Sequence, residues 1–125
     1  AAIALSAGAG VNPTAEGAPA PVVVQVFALR QPAAFQGAGY FAIADDPRAV
    51  LGPDLAANAR VILQPGEREA LDWTLAEDVT HLAVVAGFRD LDRAEWRALA
   101  PVPAEPRAGA WAVTLSGRSV GLEAR

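Results

Sequence analysis

The stretch "VVVQVFAL", residues 22–29, decides the fold. Read at period two, Val22, Val24 and Val26 fall on one face and Val23, Phe27 and Leu29 on the other. A strand that is apolar on both faces must be covered on both sides, so it belongs inside a sheet with a layer packed above and below. Working outward from it, "AIALSAGAG" alternates Ile3, Leu5, Ala7 and Ala9 against smaller or polar neighbours and predicts a half-buried first strand. Downstream, "ARVILQPGE" predicts a strand ending in a Pro65-Gly66 turn. "REALDWTLA" predicts another, with Leu71, Trp73 and Leu75 inward. "THLAVVAGFRD" and "EWRALAPV" continue the series, and "GAWAVTLSGRSVGLEA" predicts a hairpin turning at Ser116-Gly117-Arg118-Ser119. About eight strands at this spacing predict an all-β sandwich of two antiparallel sheets.

One segment breaks the pattern. From Arg30 to Asn58 the chain reads as short helices: Pro32 suits a first helical position and is followed by Ala33, Ala34 and Phe35, and "YFAIA" gives a further turn. Asp46-Pro47 is the signature of an N-cap followed by proline at N1, with Gly52 as the stop. This small helical insertion after the second strand, about residues 31–58, would cover the second face of the valine-rich strand.

The 125 residues suit a single domain, 1–125, and the 53% hydrophobic content is well clear of a disordered composition, although much of it is alanine. The net charge of −4 carries no basic footprint for nucleic acid. All ten basic residues are arginine. There is no cysteine, which excludes disulfides, thiolate zinc sites and thiol nucleophiles within this chain. No window approaches the roughly eighteen apolar residues of a membrane span. No signal peptide opens the chain, which starts already strand-like, as a trimmed N-terminus would.

Two stretches compete for the functional site. "GFRDLDRAEWR", residues 87–97, crowds Arg89, Asp90, Asp92, Arg93, Glu95 and Arg97 around Trp96. Calcium would need several oxygen ligands in a loop where Arg93 stands instead, and acid–base catalysis needs two carboxylates across a cleft. The expected role is a structural corner. Asp90 and Asp92 would form Asx turns, Arg89, Arg93 and Arg97 would fork onto the neighbouring carboxylates, and Trp96 would anchor the next strand. A docking patch is the alternative. Elsewhere, Asp45-Asp46 is better spent on the helix cap. His81 is the only histidine and reads as structural. Ser6, Ser116 and Ser119 lack a nucleophile elbow. No catalytic, metal-binding or cofactor-binding residues are expected.

The other stretch is the connection of Val11, Asn12, Pro13, Thr14, Ala15, Glu16, Gly17, Ala18, Pro19, Ala20 and Pro21. Its prolines limit its freedom, which lowers the entropy cost of binding, and Glu16 is its only charge. On composition alone it is either a plain surface loop or a contact element.

The whole pattern resembles the TssJ family (SciN- or VasD-type), the outer-membrane lipoproteins of bacterial type VI secretion systems. Four features in register carry the likeness: "NPTAEGAPAPVVVQVFAL"; "PAAFQGAGYFAIADD" with Phe35 and Phe41; "LQPGE"; and "VVAGFRDLDRAEWRALAPVP". The resemblance implies a transthyretin-like β-sandwich and a non-enzymatic assembly role. It implies an acylated N-terminal cysteine, absent from this chain, that tethers the protein to the outer membrane on its periplasmic side. It implies docking of the periplasmic C-terminal region of the inner-membrane subunit TssM, in a core complex with TssL, through the loop between the first two strands, here Val11 to Pro21. The chain without its anchor would be soluble and monomeric, with no small-molecule substrate. A secreted ligand- or carbohydrate-binding sandwich is the rival, and would need an exposed aromatic platform; Trp73, Trp96 and Trp111 all read as core. An enzyme of the kind found among transthyretin-like hydrolases would need several histidines.

Overall fold

The valine-rich stretch forms β2 (Val22–Leu29), flanked on one side by β3 (Leu55–Leu63) and on the other by β5 (His81–Ala86), in the computed structural model, which describes residues 1–103 and 109–125. Its two faces enter two different cores. Val22, Val24, Val26 and Ala28 pack between the sheets with Ile3, Leu5, Leu63, Leu82, Val84, Trp111, Val113 and Leu115. Phe27 and Leu29 pack outward with Phe35, Ile43 and Leu51 of the helical segment. Each fully buried Val, Leu, Ile or Phe among them contributes about 1.5–3 kcal/mol of transfer free energy. Val23 is the exception on its face and is only half-buried.

The sheet containing β2 is antiparallel throughout and ends in β6 (Arg97–Pro101), giving the order β3-β2-β5-β6. The opposing sheet has the order β4-β1-β7-β8, from β1 (Ala2–Ala7), β4 (Arg68–Asp72), β7 (Ala110–Ser116) and β8 (Ser119–Ala124). The described residues thus contain the eight strands expected. The expectation of two purely antiparallel sheets needs one correction: β1 runs parallel to β7, from Ala2↔Ala110 to Ala7↔Leu115. Most of the chain separates these two strands, so no tight turn dictates their relative direction. At one side the sheets meet, where the Glu95 N–H donates to the Arg118 carbonyl (2.8 Å) and the Val120 N–H to the Glu95 carbonyl (3.0 Å).

The helical segment consists of α1 (Ala33–Gly37), α2 (Tyr40–Asp45) and α3 (Pro47–Leu51), closed by a 3-10 turn at Gly52–Asp54. Asp46 caps α3 as its sequence predicts, accepting the Ala49 N–H at 3.2 Å with Pro47 at the first helical position. Gly52 ends it at φ 54°, a conformation that disfavours a side chain. Pro32 stands one residue ahead of α1 rather than within it. Strand β3 begins at Leu55, so residues 55–58, expected in the insertion, are strand; they pair with β2 through Leu55↔Leu29 and Asn58↔Phe27. Two smaller expectations also shift. Strand β1 stops at Ala7, leaving Ala9 exposed in a turn. Strand β4 stops at Asp72, and Trp73 and Leu75 pack half-buried against the core from the segment beyond it. Among the described residues no helix is long and apolar enough to cross a membrane.

Candidate partner-docking site

Asn12 organises one end of the sandwich. It is buried and non-glycine, yet held at φ 53°, a backbone region that asparagine tolerates better than most residues. Three hydrogen bonds explain why. Its backbone N–H donates to the Gly117 carbonyl (2.8 Å) in the β7–β8 turn. Its side-chain Nδ2 donates to the Pro21 carbonyl (2.7 Å), and its Oδ1 accepts the Arg89 N–H (2.8 Å). One amide thus joins the start of the 11–21 loop to its end, to the charged corner and to the β7–β8 turn. Beside it Val11 is fully buried in the inter-sheet core.

The expected site therefore divides. Val11 and Asn12, although part of the predicted contact element, present almost no surface to a partner, because the core and the amide network use them. Pro13, Thr14 and Ala20 are half-buried, and Ala15, Glu16, Gly17, Ala18, Pro19 and Pro21 are exposed. The exposed part is shaped rather than slack. The Thr14 N–H donates to the Ala18 carbonyl (2.7 Å), the Gly17 N–H to the Thr14 carbonyl (2.9 Å), and the Ala18 N–H to the Thr14 Oγ1 (3.2 Å). Below this turn the Ala20 N–H donates to the Val11 carbonyl (3.1 Å). Gly17 at φ 85° lets the chain reverse.

The corner keeps its structural position but not its expected bonding. Asp90 makes no side-chain cap to the 3-10 turn that follows it (Leu91–Arg93), and the turn is held instead by backbone bonds from Arg93 to Asp90 (3.2 Å) and from Ala94 to Leu91 (3.2 Å). The Asp90 carboxylate faces Arg118 Nε at 3.4 Å and Arg93 Nε at 3.9 Å. Arg118, in the β7–β8 turn, was not expected in this cluster. Asp92 is exposed, and Arg89 contributes its backbone N–H rather than a fork onto a carboxylate. Arg97 leaves the corner altogether. Its guanidinium caps the carbonyls of Phe35 (2.9 Å), Gln36 (3.2 Å) and Ala38 (2.8 Å) at the end of α1 and lies 4.0 Å above the Trp96 ring. Burial pulls its pKa below the ordinary arginine value. Trp96 is half-buried between the two cores, edge-on to Tyr40 at 5.4 Å. Burial pushes the Tyr40 hydroxyl up from its usual value, with Arg60 opposing.

Loop and corner are thus neighbours, and between them lies a cleft of about 260 Å³ lined by Pro13, Thr14, Ala15, Arg89, Asp90 and Arg118. Nothing in the sequence joins these residues, since three separate connections supply them. A buried asparagine at positive φ leaves no periodic trace. Phe41, unlike Phe35, is 74% exposed and lies edge-on to Tyr40 at 5.3 Å. The remaining candidates are peripheral. His81 Nδ1 lies 2.8 Å from Thr80 Oγ1, and among the described residues no three acidic or histidine side chains gather where they could hold a metal.

The chain is similar to proteins of one secretion machine. Its sequence matches the type VI secretion lipoprotein family (VasD, EvfM, TssJ) over residues 1–123. No curated protein sequence matches it. Among solved structures it is similar to the lipoprotein TssJ1 of Pseudomonas aeruginosa, with 38% identity, a TM-score of 0.92, and coverage of 99% of this chain and 94% of that one. It is similar to Serratia marcescens Lip, a membrane-bound component of the type VI secretion system, with 25% identity, a TM-score of 0.82, and coverage of 99% and 95%. It is also similar to a chain of a structure described as the TssM C-terminal domain (869-1107) from EAEC, with 26% identity, a TM-score of 0.81, and coverage of 98% and 95%. A family match over residues 1–123, together with a TM-score of 0.92 to TssJ1 over 99% of the chain, makes the chain a member of the TssJ family of type VI secretion lipoproteins.

Proposed function

We propose that the chain is a non-enzymatic assembly subunit that docks the periplasmic C-terminal region of a TssM-type inner-membrane protein, in a core complex with TssL. It would do so from the periplasmic face of the outer membrane, held there by a lipidated cysteine that these residues do not include. A TssM domain and a type VI membrane complex are named in the descriptions of two structures similar to it, which supports the choice of partner. The observation that carries the reading is the loop tip. Ala15 to Pro19 stand exposed on a base fixed by Asn12 and by the Val11–Ala20 bond, so a partner meets a preformed surface and little chain entropy is lost on binding.

Replacing Thr14–Ala18 by a two-residue turn tests it. Val11, Asn12, Ala20 and Pro21 keep their bonds, so the melting temperature should stay close to that of the wild type while binding to the TssM periplasmic domain disappears. Undiminished binding would sink the assignment. The carbohydrate-binding rival gains nothing from the tryptophans, since Trp111 is buried and Trp73 and Trp96 are half-buried against the core.

A further inference from the structure

We infer that the cleft between loop and corner is a carboxylate-receiving socket, in which Arg89 and Arg118 take an aspartate or glutamate side chain from the partner's docking face. This rests on the docking reading above and deepens it: the loop tip would supply shape, and the socket charge recognition. Three observations carry it.

First, the lining holds two guanidinium groups, Arg89 and Arg118, and one carboxylate, Asp90, in a chain whose net charge is −4. The socket is cationic where the molecule as a whole repels acidic partners, so it gives such a partner a defined place to land. Second, the cations are placed but not used up. The Arg89 backbone N–H is pinned by Asn12, while its exposed side chain has no hydrogen bond or ion pair among the described residues. Arg118 is oriented through Nε by Asp90 at 3.4 Å, which leaves its terminal nitrogens for a second carboxylate, while Arg93 shares Asp90 from farther out at 3.9 Å. Third, the walls are fixed before any partner arrives, because Asn12 bonds both the corner at Arg89 and the β7–β8 turn at Gly117. At about 260 Å³ the space admits one acidic side chain with a few ordered waters, each filling roughly 30 Å³. Glu16 in the loop and Asp92 and Glu95 in the corner are exposed acidic residues, so specificity would come from placement in the socket rather than from a broad basic field.

The test measures affinity of the whole chain for the TssM periplasmic domain, at low and high salt. The variants are Arg89→Glu, Arg118→Glu and, as a control, Arg125→Glu. Arg125 pairs with Ala110 beyond the far end of β8, so its reversal makes the same change in net charge away from the socket. The expected result is a loss of about tenfold or more for Arg89→Glu and for Arg118→Glu, and near wild-type binding for Arg125→Glu. The double variant Arg89→Gln/Arg118→Gln should flatten the salt dependence of binding, and it serves if either reversal disturbs folding. Wild-type affinity in the socket variants overturns the inference while leaving the loop assignment standing, provided the shortened loop still abolishes binding. Equal losses in all three reversals overturn it in favour of a diffuse charge effect. No binding by the wild-type chain overturns both readings.

Discussion

The 11–21 loop and the 87–97 corner invert each other. The loop has one charge, Glu16, and the corner six, yet the deeper burial is in the loop, where Val11 is 0% and Asn12 2% exposed. The corner's carboxylates lie in or near water; the Asp90 side chain is 36% exposed and the Arg93 side chain beside it 80%. The difference teaches where to look for energy. An exposed ion pair is worth no more than about 1 kcal/mol, because water screens it and two flexible side chains must be held. A buried amide hydrogen bond costs more to lose, about 1–3 kcal/mol for each group left unsatisfied. By this measure one asparagine in the bland stretch holds the end of the sandwich more firmly than the charges do.

The hardest test of that contrast is Asn12→Ala. It removes two side-chain hydrogen bonds, leaves the Arg89 N–H and the Pro21 carbonyl short of a partner, and puts alanine at φ 53°. A loss of about 3 kcal/mol is expected, or a drop of about 10 °C in melting temperature by calorimetry. Asn12→Gly, which keeps the backbone conformation, should recover only the conformational share. If Asn12→Ala melts like the wild type, the loop base is not the joint described above.

Next in size is Arg97→Lys. It keeps the charge but loses the planar fork on the Phe35, Gln36 and Ala38 carbonyls and the stack on Trp96. A loss of about 2 kcal/mol is expected, with faster amide hydrogen exchange concentrated in α1 and α2. Unchanged exchange there would mean that the helical segment is held by its apolar contacts alone. Arg97 then marks the dividing line within the corner: it is the cation of that charged run whose guanidinium is committed to fixed carbonyls.

How much of this was legible in the sequence follows the range of the interactions. The two-faced apolarity of β2 and the Asp46-Pro47 cap are local patterns, and the structure repeats them nearly residue for residue. The pairing of β1 with β7, the burial of Val11 and the destination of Arg97 depend on segments far apart in the chain. Period and propensity carry no information about those. Asn12 shows the limit well. "Asn-Pro" announces a turn, but only the fold places the N–H of Arg89 and the carbonyl of Pro21 on either side of its amide. The proposed docking loop was reached through resemblance for the same reason, and the pairing of Arg118 with Asp90 left no trace in the sequence because Arg118 sits in an ordinary hairpin turn.

A smaller effect tests the packing that seals the corner. Tyr40 lies edge-on to Trp96, its hydroxyl crowded over Gly87, and burial raises its pKa above the unfolded value of 10.0. Below that value both states carry the proton, and stability is full. As pH rises past it the unfolded chain ionises first, so the native state is progressively penalised until its own hydroxyl titrates. Stability should therefore decline above pH 10 in the wild type and decline less in Tyr40→Phe. Because the chain has one tyrosine, its tyrosinate absorbance reports this group alone. A midpoint at or below 10.0 in the folded protein would mean that Arg60, which favours the anion, outweighs burial.

The smallest effect expected is within the stretch that carries the densest charge in the sequence. Asp90→Ala removes the one carboxylate shared by Arg118 at 3.4 Å and Arg93 at 3.9 Å, but both pairs are partly exposed and the turn is closed by backbone bonds that the substitution leaves alone. The cost should stay under about 1 kcal/mol and shrink further in high salt. A loss as large as that of Asn12→Ala would reverse the contrast between loop and corner. A small loss accompanied by altered binding would instead place the role of Asp90 in aiming Arg118, and would tie the corner to recognition through orientation rather than through stability.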